Sequence, residues 1–450
     1  MPGAVLPVFD RRRAGVLLHL SSLDAALGRG GRAFIDWLAA AGCSVWQILP
    51  LGPTGPSGSP YWVRSDFAGN TSFIDDAERP SSDGAEYQAF LDAAAWLEDY
   101  ARFEVLSALH GGQPWWQWPA PYRNREPAAL EQLRSACAAE LSRVKIEQFV
   151  FAAQLQGLRE YAHARGVRLL GDVPFYVAPD SAEVWTHRAQ FQLDAAGLPR
   201  AVAGVPPDYF SEFGQLWGNP LYDWSRMRRD GFEFWRARVR CQLERVDVLR
   251  IDHFLALAAH WAVPAGAPDA RGGAWRRTPG RALLKSLQNE LPALPLVAED
   301  LGFITPDVEA LRRRFRLPGM RVLQFGFDGD PYNPHLPHMH RHNSVVYTGT
   351  HDNDTSAGWF ASLDPHAQER VQAYLGTDAR MPQALIRAAS ASVAALAVVP
   401  LQDLLGLGSM ARLNTPGTAH GNWSWKMPHD ALTPELARSC CALNRLYARV

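Results

Sequence analysis

The sequence predicts an α/β protein built as a closed (β/α)₈ TIM barrel with large insertions after strands two and three. Three observations predict it: eight short, mostly apolar runs, helical text between several of them, and an acid at or just past the end of four runs. The runs are residues 15–19, 44–49, 168–172, 246–252, 296–299, 321–325, 344–347 and 396–401. Strands buried on both faces read as such continuous apolar runs. Between them, the segment 146–161 places Ile146, Phe149, Val150, Ala153 and Leu158 on one helical stripe. The segment 305–315 opens with Thr305-Pro306, a capping residue followed by proline at the first helical position. An open doubly wound sheet is the alternative, but no Gly-x-Gly-x-x-Gly follows the first run, which weighs against a nucleotide-binding version of it.

A single barrel suits the length. The 450 residues exceed what one core usually serves unless that core is a large α/β barrel. Two connections, 50–145 and 178–231, are too long for ordinary loops and are rich in Pro, Gly and Trp. The expected organisation is one catalytic barrel over 1–450, with inserted subdomains at 53–145 and 178–231. The aromatic-rich stretches 113–122 and 206–224 either stack on sugar rings or carry small cores of their own.

Charge excludes several function classes. With 45 basic and 46 acidic residues, the chain lacks the long-range field expected of a nucleic-acid or anionic-membrane binder. No apolar run approaches the roughly 20 residues of a membrane span, and residues 1–10 lack the order of a secretory signal. Five dispersed cysteines without a CxxC pair form neither a disulfide framework nor a zinc site. A reducing, cytoplasmic setting follows. Nothing in the sequence fixes the oligomeric state.

In a barrel, residues at the C-terminal strand ends converge on one rim. Asp172, Asp252 and Glu299 close three runs, and Asp352 lies just beyond a fourth. Crowded carboxylates are unfavourable unless a cation or a reaction requires them. A metal held with His253 and His351 is one explanation. Arg250, two residues before Asp252 and so on the same side of its strand, puts a cation where that metal would sit. This favours glycoside chemistry, with one carboxylate as nucleophile and another as proton donor. A single acid at a strand end has a plainer reading, as a helix cap or an ion-pair partner, and Asp300 fits it.

Longer segments sharpen this. Leu249-Arg250-Ile251-Asp252-His253-Phe254, Ala298-Glu299-Asp300-Leu301-Gly302 and Tyr347-Thr348-Gly349-Thr350-His351-Asp352-Asn353-Asp354-Thr355 resemble the catalytic segments of the amylomaltase, or disproportionating 4-α-glucanotransferase, family, within the α-amylase-type barrel superfamily. Further ordered matches include Trp46-Gln47-Ile48-Leu49-Pro50, Gly214-Gln215-Leu216-Trp217-Gly218-Asn219 and Gly421-Asn422-Trp423, so the resemblance spans about residues 15 to 425.

The resemblance implies retaining transfer of α-1,4-glucan segments between maltooligosaccharides, without cofactor or metal. By position it implies Asp252 as nucleophile, Glu299 as general acid/base and Asp352 as transition-state stabiliser. It places Ser59, Tyr61, Asp172, Trp217, Arg250, His253, Phe325 and His351 along the glucan, with Asn422 as a further contact. Asp208, Glu212 and Gln215 match a flap over the site. A general acid at Glu299 should be pushed up by a dry pocket and by neighbouring acids. Net hydrolysis through the same intermediate, or glucan binding with little turnover, are the alternatives. The chain departs from the family pattern at Leu255, where relatives carry Arg, and at Pro56-Ser57-Gly58, and it is abbreviated between Thr355 and Val398.

Overall fold

All eight apolar runs form strands of one parallel sheet. The structure, a computed structural model, describes residues 8–207, 211–302, 304–376, 380–418 and 420–450. Among the described residues the strands, in chain order, are β1 (Arg13–Leu17), β2 (Val45–Gln47), β3 (Arg168–Val173), β4 (Ala201–Val205), β5 (Gln215–Pro220), β6 (Val248–Ile251), β7 (Ala259–Pro264), β8 (Ala274–Arg277), β9 (Leu296–Ala298), β10 (Gly319–Val322), β11 (Ser344–Tyr347) and β12 (Leu396–Pro400). The parallel sheet runs β10-β11-β12-β1-β2-β3-β6-β9. Its two edges meet where Ala298 N donates to Pro318 O at 2.9 Å, so the sheet is a (β/α)₈ barrel.

Alternation along these strands decides what faces the axis. Leu17, Val45, Leu170, Val248, Val297, Val345 and Leu396 form one buried cluster that fills the barrel. Residues one step away, such as Val16, Leu169 and Leu249, join the outer cluster beneath the helices. Two steps beyond Leu170, Val248 and Val297, the same alternation turns Asp172, Arg250 and Glu299 inward. The barrel is therefore apolar below and charged at its C-terminal rim. The run expected at 321–325 begins earlier, at Gly319, and gives way to a 3-10 turn at Leu323–Phe325.

The segment between β2 and β3 is helical. Helix Leu97–Leu109 packs on helix Ala138–Ala164, which begins well before the stripe read at 146–161 and runs through residue 145. The aromatic text at 113–122 builds a core. Trp118 lies 5.5 Å from Phe103 and 5.6 Å from Trp185, ring centre to ring centre, and Trp115 is fully buried.

A second sheet, antiparallel and ordered β5-β4-β7-β8, has no counterpart in the sequence reading. It joins strands from the β3–β6 connection to a hairpin that follows β6. No helix among the described residues is long and apolar enough to cross a membrane.

Candidate active site

Register builds the centre of the rim. Asp172 on β3 pairs with Arg250 on β6, so their side chains stand side by side inside the barrel. Arg250 donates to Asp172 Oδ2 at 2.5 Å and to Asp252 Oδ1 at 2.9 Å. The Tyr61 hydroxyl donates to the same Asp172 oxygen at 2.6 Å. Asp172 has no side-chain exposure, whereas Asp252 keeps 31%. Asp172 thus anchors Arg250 and Tyr61 from a buried position, and of the two acids that Arg250 bridges Asp252 is the exposed one.

Glu299 is tied to the same point through the backbone. Its Oε2 accepts from His253 N at 2.6 Å and its Oε1 from Leu301 N at 2.9 Å. His253 sits in the left-handed region, φ 51°, which turns its N–H toward Glu299 at the end of β6. Asp352 completes the set from the loop after β11. It keeps 45% exposure, lies 3.3 Å from His351 Nε2, and accepts from Asn414 Nδ2 at 2.6 Å. Arg412 donates to its backbone carbonyl, also at 2.6 Å. His351 in turn stacks on Tyr61, with ring centres 5.1 Å apart and planes 16° apart.

Burial sets the electrostatics. Glu299 is pushed up to about 8 by burial, against the pull of Arg250 and with Asp252 adding to the rise. Burial also raises Asp172, against Arg250 and Tyr61, and raises Tyr61, so that its hydroxyl stays a donor. His253 is lowered to about 4 by burial, and His351 is lowered for the same reason; both are neutral near pH 7. Arg250 fills the space between Asp172 and Asp252. Among the described residues no group of three or more His, Cys, Asp or Glu is placed to hold a metal.

The other expected residues divide. Trp217 lies edge-on to His253 at 4.7 Å and donates from Nε1 to Gln215 Oε1 at 3.0 Å. Ser59 accepts from Tyr61 N at 3.2 Å and so fixes the tyrosine's turn. Glu212 is exposed between β4 and β5, and Asp208 lies outside the described residues. Phe325 is 44% exposed and packs edge-on against His335. Asn422 is spent locally: its Oδ1 accepts from Thr415 N and its Nδ2 donates to Thr418 O. Its neighbour Trp423 faces the site instead, 6.0 Å from Tyr61 and 5.9 Å from His351.

The sequence profile described as 4-alpha-glucanotransferase matches residues 18–82 and 76–433. The chain belongs to that family. The 4-alpha-glucanotransferase of Thermus thermophilus is 44% identical, over 94% of this chain and 96% of its own length. The Synechocystis 4-alpha-glucanotransferase is 42% identical, over 98% and 99%. Among solved structures, an amylomaltase from Streptococcus agalactiae in complex with acarbose superposes with a TM-score of 0.92 at 31% identity, covering 98% of this chain and all of the other. This glucanotransferase also shares its fold with an amylomaltase from Corynebacterium glutamicum, at a TM-score of 0.70 and 19% identity.

Two residues of this glucanotransferase's rim, Arg412 and Asn414, escaped the sequence reading, and Trp423 was read only as part of the matched segment Gly421-Asn422-Trp423, with Asn422 taken as its contact. They follow the last barrel strand in irregular backbone, where neither period nor strand-end position marks them. The structure places Leu255, the departure from the family pattern, away from the three acids' hydrogen-bonded network. It packs half-buried against the outer core and borders a groove beside helix Pro306–Arg314.

Proposed function

We propose that this 4-alpha-glucanotransferase works through a covalent glycosyl–Asp252 intermediate and passes the bound glucan chain to another maltooligosaccharide. The observation that carries the reading is one connected network reaching all three acids. It runs Asp352–His351–Tyr61–Asp172–Arg250–Asp252, and the His253 N–H joins Asp252's neighbour to Glu299.

In the first half-reaction, an Asp252 carboxylate oxygen bonds to the anomeric carbon while the glycosidic C–O bond breaks. The proton on Glu299 passes to the departing oxygen, which leaves as the 4-hydroxyl of the released chain. Burial supports this role, because a carboxyl pushed up to about 8 still holds its proton at neutral pH. In the second half-reaction, Glu299 takes the proton of an acceptor 4-hydroxyl, whose oxygen displaces Asp252. Two inversions restore the α-configuration. Asp352, held by Asn414 and Arg412, grips donor hydroxyls without bonding covalently.

Transfer in preference to hydrolysis is supported by the aromatic surroundings. Tyr61, Trp217 and Trp423 offer faces on which an acceptor sugar stacks, and water cannot use that binding energy. The five cysteines are free, which fits a reducing, cytoplasmic setting. The test is to incubate the purified chain with maltotriose and resolve products by size. A ladder of longer chains plus glucose is expected. Shorter sugars alone mean that water is the acceptor, and no change means a binding protein.

A further inference from the structure

Away from the catalytic rim, unpaired cations gather along one open groove. It lies where the second sheet meets helices Gly280–Glu290 and Pro306–Arg314. Arg228, Arg281, Lys285 and Arg314 border one end, a space of about 760 Å³. The continuation, about 900 Å³, shares Arg281 and Arg314 and adds Arg277, Trp275 and Leu255. None of these five cations has a carboxylate partner among the described residues. Neighbouring arginines do: Arg236 and Arg240 share Glu290, Arg312 pairs with Asp300, and Arg313 pairs with Glu309. A single acid, Asp307, borders the groove.

Two features of this groove point to a ligand class. Like charges around a concavity repel one another and focus a positive potential, in a chain whose formal net charge is −1. Guanidinium forks match phosphate oxygens two at a time, and four of the five cations are arginines. Beside them, Trp275 is 49% exposed. Its ring is braced edge-on by Trp261 at 5.4 Å, and Trp261 is itself fixed by donation to Ala270 O at 2.8 Å. A braced, exposed indole is a platform for the apolar face of a sugar ring.

We propose that this groove binds a sugar phosphate, with the phosphoester among Arg281, Arg314, Lys285 and Arg228 and the sugar ring on Trp275. The phosphoester belongs either to a free hexose phosphate or to a glucose unit of a glucan chain. That the sugar is glucose rests on the proposed glucanotransferase reading; the site itself does not. Leu255, three residues beyond Asp252 in sequence, lines the groove.

Calorimetric titration of the full chain with glucose 6-phosphate, inorganic phosphate and glucose, at about 0.15 M salt so that diffuse attraction is screened, tests the site. Glucose 6-phosphate is expected to bind about tenfold more tightly than inorganic phosphate, and glucose alone to give no saturable heat. The Arg281→Gln, Arg314→Gln double variant should weaken glucose 6-phosphate about tenfold, and Trp275→Ala should bring it to the level of inorganic phosphate. Maltotriose disproportionation stays unchanged in both variants, so loss of this site and failure of the catalytic reading are separate results. A phosphorylated maltooligosaccharide that binds more tightly than glucose 6-phosphate assigns the ester to the glucan; the reverse order assigns it to the free sugar. The proposal is overturned if glucose 6-phosphate gives no saturable heat, binds no better than inorganic phosphate, or binds the double variant as it binds the parent.

Discussion

Replacing Glu299 with Gln removes a titration while keeping the side chain's shape. Burial raises the Glu299 carboxyl from 4.5 to about 8. At about 1.4 kcal/mol per unit, its ionised form costs the fold on the order of 5 kcal/mol once the pH has passed that value, about 4 kcal/mol of it between pH 5 and 9. The sign follows from proton binding. The folded protein holds this proton more tightly than the unfolded chain, so the stabilisation is complete below about pH 4.5, shrinks through the interval, and is gone above about 8. Gln does not titrate, but it accepts only one of the two N–H bonds, from His253 and Leu301, that the carboxylate accepts. The lost bond costs about 1–3 kcal/mol at every pH.

Thermal unfolding of Glu299→Gln should therefore lie below that of the parent near pH 5 and above it near pH 9. For a chain this long, about 1 °C corresponds to each kcal/mol, so the swing is on the order of 4 °C. Circular dichroism melts at half-unit steps of pH read it directly. The same titration should set the alkaline limb of kcat/KM, near pH 8. A difference in melting temperature that is constant from about pH 5 to 9 would falsify the argument. It would mean that the two N–H donors keep Glu299 ionised throughout, and the proton-donor role would fall with it.

Asp252→Asn should leave the fold intact and cut maltotriose turnover by about four orders of magnitude or more, since an amide does not form the glycosyl ester; substantial residual turnover removes Asp252 from that role. Arg250→Met leaves Asp172 and Asp252 without their shared cation, at a cost of about 3–5 kcal/mol. Melting should drop by a few degrees at about pH 8 and recover part of that near pH 5 as Asp172 protonates; an undisturbed melt means that Arg250 carries no such burden. Gly214→Ala acts on the loop between β4 and β5, where φ is +67° and an added Cβ would sit 2.4 Å from Val205 O. The share of maltotriose hydrolysed rather than transferred should rise about severalfold; a constant ratio of free glucose to longer products uncouples this loop from water exclusion.

The barrel was legible because its information is local and periodic. Each strand is a short apolar run buried on both faces, and inward alternation carries Asp172, Arg250 and Glu299 to the rim without knowledge of the tertiary structure. The pairing of Arg250 with Asp252 followed from their spacing alone. What stayed hidden depends on long-range pairing. The second sheet joins β4 to β7, whose sequences are separated by the whole of β6; β5 and β8 are too polar to read as strand runs, and the short apolar β4 lies inside the segment read as an insertion. Asn422 illustrates the limit of matching by position. It falls in a matched segment, yet its side chain closes a turn with Thr415 and Thr418, and the rim is served by Asn414 from eight residues earlier. The aromatic loop at 113–122 was open to two readings, and the burial of Trp115 and Trp118 settles it as a core.

The second sheet also bears on how the segment expected to act as a flap relates to the proposed chemistry. β4 is central: it pairs with β5 on one side and with β7 on the other. The loop between β4 and β5 carries Glu212, and β5 carries Gln215 and Trp217, with Trp217 against His253. β7 begins at Ala259, directly after the 3-10 turn Phe254–Leu257 that leaves Asp252 and His253. The β4–β5 segment, expected to act as a flap, and the loop that carries Asp252, the proposed nucleophile, are therefore joined through one hydrogen-bonded sheet. His253 N donates to Glu299, so a displacement of this unit would reach the proposed proton donor through a single bond of 2.6 Å. A flap on an independent hinge would open to water while the acids stayed aligned. On the proposed mechanism, an opening that dragged β4 would also disturb the turn between Asp252 and Glu299, so a state that admitted bulk water would be one in which the acids are less well placed to use it.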